Sequence, residues 1–88
     1  MDLTIEGQIE RMRIREARTI ANTKSKDFKK ISKNLAEKGN IRKCTSEEAE
    51  RSVKILLKEG YLEETKDKYV LTEKSQIILE RMKQPPFI

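Results

Sequence analysis

Apolar residues recur along this chain at helical spacing, broken by short polar connections, until about residue 60, where the period shortens. From about Thr4 to Ala21, Ile5, Ile9, Met12 and Ile20 fall on one face of a helix, and that face is expected to turn toward the core. Ile14, Ala17 and Ala21 make a weaker stripe on another side, read either as a face for a partner subunit or as surface with Ile14 half-exposed. Asn22 to Ser25 is a polar connection, and the oxygen of Ser25 or Asp27 can accept from the free N–H groups that open the next helix. Phe28, Ile31 and Leu35 share one face of that helix, and Gly39 suits its end because glycine tolerates the left-handed conformation. Asn40 to Cys44 reads as a loop.

Thr45-Ser46-Glu47-Glu48 is a strong helix start: Thr45 and Glu48 fit a capping box, and the acids suit the positive end of the helix dipole. Ala49, Val53, Leu56 and Leu57 form the buried face, and Gly60 ends the helix. Tyr61 to Glu64 and Tyr69 to Leu71 carry strand-favouring residues around the polar turn Thr65-Lys66-Asp67-Lys68, which predicts a hairpin. Thr72 caps a last helix running to about Met82, with Ile78, Leu79 and Met82 on its apolar face. Pro85-Pro86 stops it, and Phe87-Ile88 is a tail that docks or frays. The expected fold is mainly α with a short β-hairpin, ordered helix-helix-helix-hairpin-helix. Residues 1–88 are read as one domain with a core over about 5–82 and a tail at 83–88.

Composition narrows the chemistry. Only 35% of the 88 residues are hydrophobic and 40% are charged, so it is the periodicity that argues for a folded chain. No apolar run approaches the ~20 residues of a membrane span, and the first residues lack a signal-peptide pattern, so an intracellular, cytoplasmic location is expected. There is no histidine, and Cys44 is the lone cysteine, expected to be a small half-buried filler. Those absences remove an internal disulfide, a typical structural zinc site and any Ser–His or Cys–His nucleophile, so neither enzyme activity nor a metal or cofactor is expected. The net charge is +5, unevenly spread. Residues 11–43 hold twelve bases and three acids, whereas residues 44–64 hold three bases and six acids. A field of that kind favours a polyanion, although a Lys- and Glu-rich solvated surface also accounts for it.

Val53-Lys54-Ile55-Leu56-Leu57-Lys58-Glu59-Gly60-Tyr61-Leu62-Glu63-Glu64, followed by Tyr69-Val70-Leu71-Thr72-Glu73-Lys74, resembles the winged helix-turn-helix family over about residues 15–82. The similarity lies in a third helix ending in Leu-x-x-x-Gly, an aromatic or aliphatic strand start, a short wing and a closing Leu-Thr-Glu-Lys. Archaeal and bacterial regulators of this kind often place Gly after that phrase; here Ser75 stands instead.

The resemblance implies a third helix that enters the DNA major groove and a wing on the backbone or minor groove. Opposite Ala49, Val53 and Leu56, a helix of 100° per residue places Glu47, Arg51, Lys54 and Lys58. Arg51 suits a guanine edge, Lys54 and Lys58 suit phosphate, and Glu47 is spaced to pair with Arg51. Ser46 at the helix start, Arg42 and Lys43 on the preceding loop, and Lys66 and Lys68 on the wing complete the expected DNA contacts. Lys26, Lys30 and Lys33 form a secondary basic contact, and Arg11, Arg15 and Arg18 a further stripe that is either solvated or a second polyanion contact. Two features oppose a standard reading geometry. Glu47, Glu48 and Glu50 crowd the start of the third helix, and the loop before it is about four residues longer than the usual turn. Double-stranded DNA is the favoured partner, with the protein as a transcriptional regulator and homodimer through its first and last helices. The alternative is a winged-helix protein–protein module in a replication or transcription assembly, for which the acidic helix start and the apolar tail speak.

Overall fold

A computed structural model describes residues 5–38 and 43–83. Among them are four helices and one hairpin: α1 (Ile5–Thr23), α2 (Phe28–Lys38), α3 (Ser46–Lys58), β1 (Leu62–Glu64), β2 (Tyr69–Leu71) and α4 (Glu73–Lys83). The strands pair antiparallel, with Leu62 opposite Leu71 and Glu64 opposite Tyr69. The mainly helical architecture with a short hairpin is therefore as expected, with the first strand starting one residue later, at Leu62. Gly39, Arg42, Pro85, Pro86, Phe87 and Ile88, to which the sequence assigned roles, lie outside the described residues.

Local chemistry sets the element ends. Asp27 caps α2, its Oδ1 accepting from the Lys29 N–H at 2.9 Å, while Ser25 Oγ accepts from the Asp27 N–H at 3.1 Å. Thr45 and Glu48 form the reciprocal capping box at α3. At its far end Tyr61 N–H donates to Leu56 O at 2.8 Å and Gly60 N–H to Leu57 O at 3.3 Å. Those two bonds make a Schellman closure, and Gly60 takes the positive φ of 82° that it requires. Lys24, at φ 55°, makes the comparable left-handed turn after α1 without the glycine that would make it free of strain.

The core assigns the faces of α1 differently from the periodicity. Ile14, Ala17 and Ile20 have no exposed surface, whereas Ile9 is 43% and Met12 62% exposed. The stripe expected to be secondary is thus buried, together with Ile20 of the face expected to turn toward the core, while Ile9 and Met12 of that face are exposed. α1 is the central element, packed against α2, α3, β2 and α4. Helices approach closely where side chains at the contact are small, so Ala17 and the half-buried Ala21 mark the contact surface better than the larger Ile9 and Met12. Elsewhere the expected faces hold: Ile31 and Leu35 of α2, and Ala49, Val53 and Leu56 of α3, are buried, with Phe28, Leu57 and Leu79 packed partly against them. Met82 departs, at 41% exposed, because only Ile78 and Leu79 of the α4 face reach the core.

A polar lock joins the end of α3 to the start of α4. Three successive carbonyls, of Glu59, Gly60 and Tyr61, each accept from a side chain of the 72–75 turn. Lys74 Nζ donates to Glu59 O at 2.9 Å, Thr72 Oγ1 to Gly60 O at 2.6 Å and Ser75 Oγ to Tyr61 O at 2.6 Å. Lys74 also lies over the Tyr61 ring, 4.4 Å from its centroid. Thr72 caps α4 through the Ser75 N–H, as its position in the sequence suggests. The residues of the closing Leu-Thr-Glu-Lys-Ser phrase therefore satisfy the backbone groups that a helix end and a strand start leave open.

Candidate nucleic-acid interface

The outward side of α3 is built by its burial pattern. With Ala49, Val53 and Leu56 turned inward, Glu47, Arg51, Lys54 and Lys58 are all exposed, as the sequence predicts. Their pairing differs. Lys54 Nζ bonds Glu50 Oε2 at 2.9 Å, one turn back on the same helix. The expected Glu47–Arg51 pair is not formed, so among the described residues Arg51 and Lys58 carry no ion pair. Ser46, the first residue of α3, is half-buried, and Lys43 is exposed just ahead of it.

One residue of this face escaped the sequence reading. Ile55 is 42% exposed and lies one turn after Arg51 and three residues before Lys58. Its signal was available: the i, i+4 spacing from Arg51 puts both on one row.

The hairpin turn is fixed by Thr65. Its N–H and hydroxyl both donate to Lys68 O, at 2.9 and 2.8 Å, and its Oγ1 accepts from the Lys68 N–H at 3.1 Å. Lys66 and Lys68 are exposed around this ordered turn. Tyr61 and Tyr69 pack inward, 6% and 5% exposed, as expected of residues flanking a turn and not stacking on bases.

Lys26 is withdrawn from the secondary basic group. Its Nζ donates to Glu64 Oε2 at 2.8 Å, 38 residues along the chain, and lies 5.9 Å from the Tyr69 ring centroid. Burial first, then the Glu64 carboxylate, pushes the Tyr69 hydroxyl above its ordinary pKa; Lys26 opposes this and Glu50 adds to it. So the α1–α2 connection, the hairpin and α3 converge on one mixed-charge cluster. Lys30 and Lys33 remain exposed on α2 and without ion pairs among the described residues.

A second polar seam runs between α1 and α3. Arg13 pairs with Glu59 at 3.3 Å, and Glu16 lies beside Ser52. Burial raises the Glu16 carboxyl above its ordinary pKa, more than Arg13 and the Ser52 hydroxyl lower it. Burial, then Glu48 and Glu16, likewise raises the half-buried Cys44 thiol above its ordinary pKa. Because the folded chain binds the Glu16 proton more tightly than the unfolded chain, Glu16 adds stability at low pH. That contribution is lost as pH rises through the raised value. Glu16→Gln is expected to flatten the rise in stability between pH 7 and pH 4.5. It should also raise stability at pH 7, by well under about 1 kcal/mol since solvent screens this partly exposed group. Urea titrations across that range check it; a wild-type profile that falls toward pH 4.5 more steeply than the variant's would overturn the assignment.

Among the described residues no group of three or more Cys, Asp and Glu side chains is arranged to hold a metal ion, and no helix is long and apolar enough to cross a membrane. A shallow open hollow between α1 and α4 is lined by Gly7, Glu10, Arg11, Ile78, Arg81 and Met82. No protein-family model, curated protein or solved structure matches the chain.

Proposed function

We propose that this chain is a winged helix-turn-helix protein that binds double-stranded DNA inside the cell, as a transcriptional regulator and without catalysis. α3 is its reading helix and the β1–β2 hairpin its wing. The observation that carries the reading is the pairing state of the bases: Arg51, Lys58, Lys66 and Lys68 are exposed and without ion pairs among the described residues, on the helix and the turn that the resemblance assigns to DNA. An arginine on such a face suits a guanine edge, and an exposed isoleucine one turn away suits a thymine methyl group. Lys54 contributes less, since Glu50 neutralises it. Ser46 and Lys43 stand at the α3 start, where phosphate would pass. Exposed Ile9 and Met12 on α1, and Ile77 and Met82 on α4, supply apolar surface for a homodimer through those helices.

The quadruple variant Arg51→Gln, Lys58→Gln, Lys66→Gln, Lys68→Gln tests it. Duplex affinity is expected to fall roughly tenfold or more at low salt, and the slope of log K against log salt to shrink by about 0.9 for each phosphate that the variant no longer neutralises. Fluorescence anisotropy across salt concentrations measures both, and unchanged affinity and slope would sink the reading. A second reading, a protein-interaction module, is favoured by the exposed Ile55 beside the acids Glu47 and Glu50. It predicts that Ile55→Ser abolishes capture of a protein partner while leaving duplex affinity untouched.

A further inference from the structure

Four elements surround α1, and one exposed row on it is chemically uniform. Gln8, Arg11, Arg15, Arg18 and Asn22 follow each other at alternating spacings of three and four residues, and all five are exposed. That spacing makes one straight row along a helix, about 21 Å long at 1.5 Å per residue. Every member is a hydrogen-bond donor, and none is an acid. The positions beside the row, Met12 and Thr19 on one flank and Ile14 and Ala21 on the other, are uncharged. Of the α1 acids among the described side chains, Glu16 lies in the α3 seam, and Glu10 lines the hollow against α4 together with Arg11 and Arg81, without an ion pair to either.

Pairing separates the four arginines of α1. Arg13 faces α3 and is bonded to Glu59, whereas Arg11, Arg15 and Arg18 carry no ion pair among the described residues. In a chain with 40% charged residues, three neighbouring arginines without a carboxylate partner are a concentrated donor surface. They lie about 140–160° around the helix from Arg13, so the row points away from α3. At the far end of the row α2 crosses close by, since Asn34 Nδ2 donates to Thr23 Oγ1 at 2.9 Å. Lys30 and Lys33, exposed on α2 just ahead of Asn34, extend the positive surface there.

We infer that the Arg11/Arg15/Arg18 row is a second nucleic-acid contact, fitted to the phosphate backbone of a duplex. One monomer can then hold two DNA segments, one on α3 and the hairpin and another on α1. The spacing suits the ligand: the three guanidiniums span about 10.5 Å of helix axis, and a DNA strand presents a phosphate about every 3.4 Å of its own axis. Arginine also suits the task through its planar fork of donors, which meets phosphate oxygens two at a time. Gln8 and Asn22 at the ends add neutral donors for backbone oxygens. Being a backbone contact, the row takes duplexes without regard to sequence. It rests on the nucleic-acid reading above for its ligand, but not on α3 as the reading helix.

The experiment pairs Arg11→Gln, Arg15→Gln, Arg18→Gln with the α3 and hairpin quadruple variant, alone and combined. Glutamine keeps the helix propensity of arginine, so folding is preserved and circular dichroism checks it. Binding is read by anisotropy on a duplex of roughly 20 base pairs, about two helical turns. Bridging is read by energy transfer between two duplexes carrying different dyes. The triple variant is expected to lower the salt slope by about 2.7, for three phosphate contacts, in either background, and to abolish bridging in the wild-type background, where both contacts are present. Arg11→Lys, Arg15→Lys, Arg18→Lys is expected to retain most of both. A triple Gln variant with wild-type slope and bridging would overturn the proposal whatever the quadruple variant does. An effect of the triple variant on the slope with none of the quadruple would support the row as a contact, remove α3 as one, and overturn the holding of two segments by one monomer through α3. A wild-type protein that binds no duplex at low salt would overturn both.

Discussion

Ile14→Ala is expected to destabilise the protein by about 2–5 kcal/mol, the range for truncating a fully buried aliphatic side chain. Met12→Ala, two residues away, should stay within about 0.5 kcal/mol of wild type. The contrast follows from exposure, 0% at Ile14 against 62% at Met12. Ile14 belongs to the core cluster of a helix packed against α2, α3, β2 and α4, so its removal leaves a cavity that the surrounding elements cannot fill by a small shift. A loss of that size is a large share of the roughly 5–15 kcal/mol that holds a small domain together. Urea unfolding at neutral pH reads both variants. Equal losses for the two would mean that α1 is turned about its axis relative to the arrangement described, and the placing of the arginine row would fall with it.

The second large effect is expected at Ser75. Its hydroxyl, in a side chain with no exposed surface, donates to Tyr61 O at 2.6 Å and is the buried bond of the lock between α3 and α4. Ser75→Ala leaves Tyr61 O with only the Thr72 N–H at 3.3 Å, and should cost about 0.5–1.5 kcal/mol, the net contribution of one hydrogen bond where the carbonyl keeps a second donor. For a domain of this size each kcal/mol corresponds to about 4–8 °C in Tm. Ser75→Gly, the residue common at this point in the resembled family, should cost a further ~1 kcal/mol through helix propensity. Thermal unfolding of the two variants measures this, and an alanine variant as stable as wild type would show that the hydroxyl contributes nothing net. Ser75 thus has a structural role of its own: its hydroxyl bonds the carbonyl just ahead of the first strand.

The candidate site was legible in the sequence only in part. Helical phase alone placed Arg51, Lys54 and Lys58 outside Ala49, Val53 and Leu56, because a capped helix with one clear apolar stripe has only one way to face a core. What phase could not supply was pairing. Lys54 and Glu50 sit at the helical pairing distance, and so do Glu47 and Arg51; only the first pair forms. The capture of Lys26 by Glu64 was not readable at all, since the partners are 38 residues apart and meet only once the hairpin folds back on the α1–α2 connection.

Neighbours along the chain are enough to dictate the order and ends of the elements. The Thr45–Glu48 box, the Gly60 closure, the Asp27 and Thr72 caps and the hairpin turn all act within a few residues of one another. Local bonds of that kind need no tertiary context, so they can be read from the sequence. Long-range packing settles which stripe of α1 is buried and which bases are left unpaired. Both depend on elements that approach from distant parts of the chain. In α1 two apolar stripes compete, and the buried face takes the one with the small alanines together with Ile20 of the other, because four neighbours then close around a single helix. The same closure leaves Arg11, Arg15 and Arg18 as the open side, a consequence that no local pattern contains.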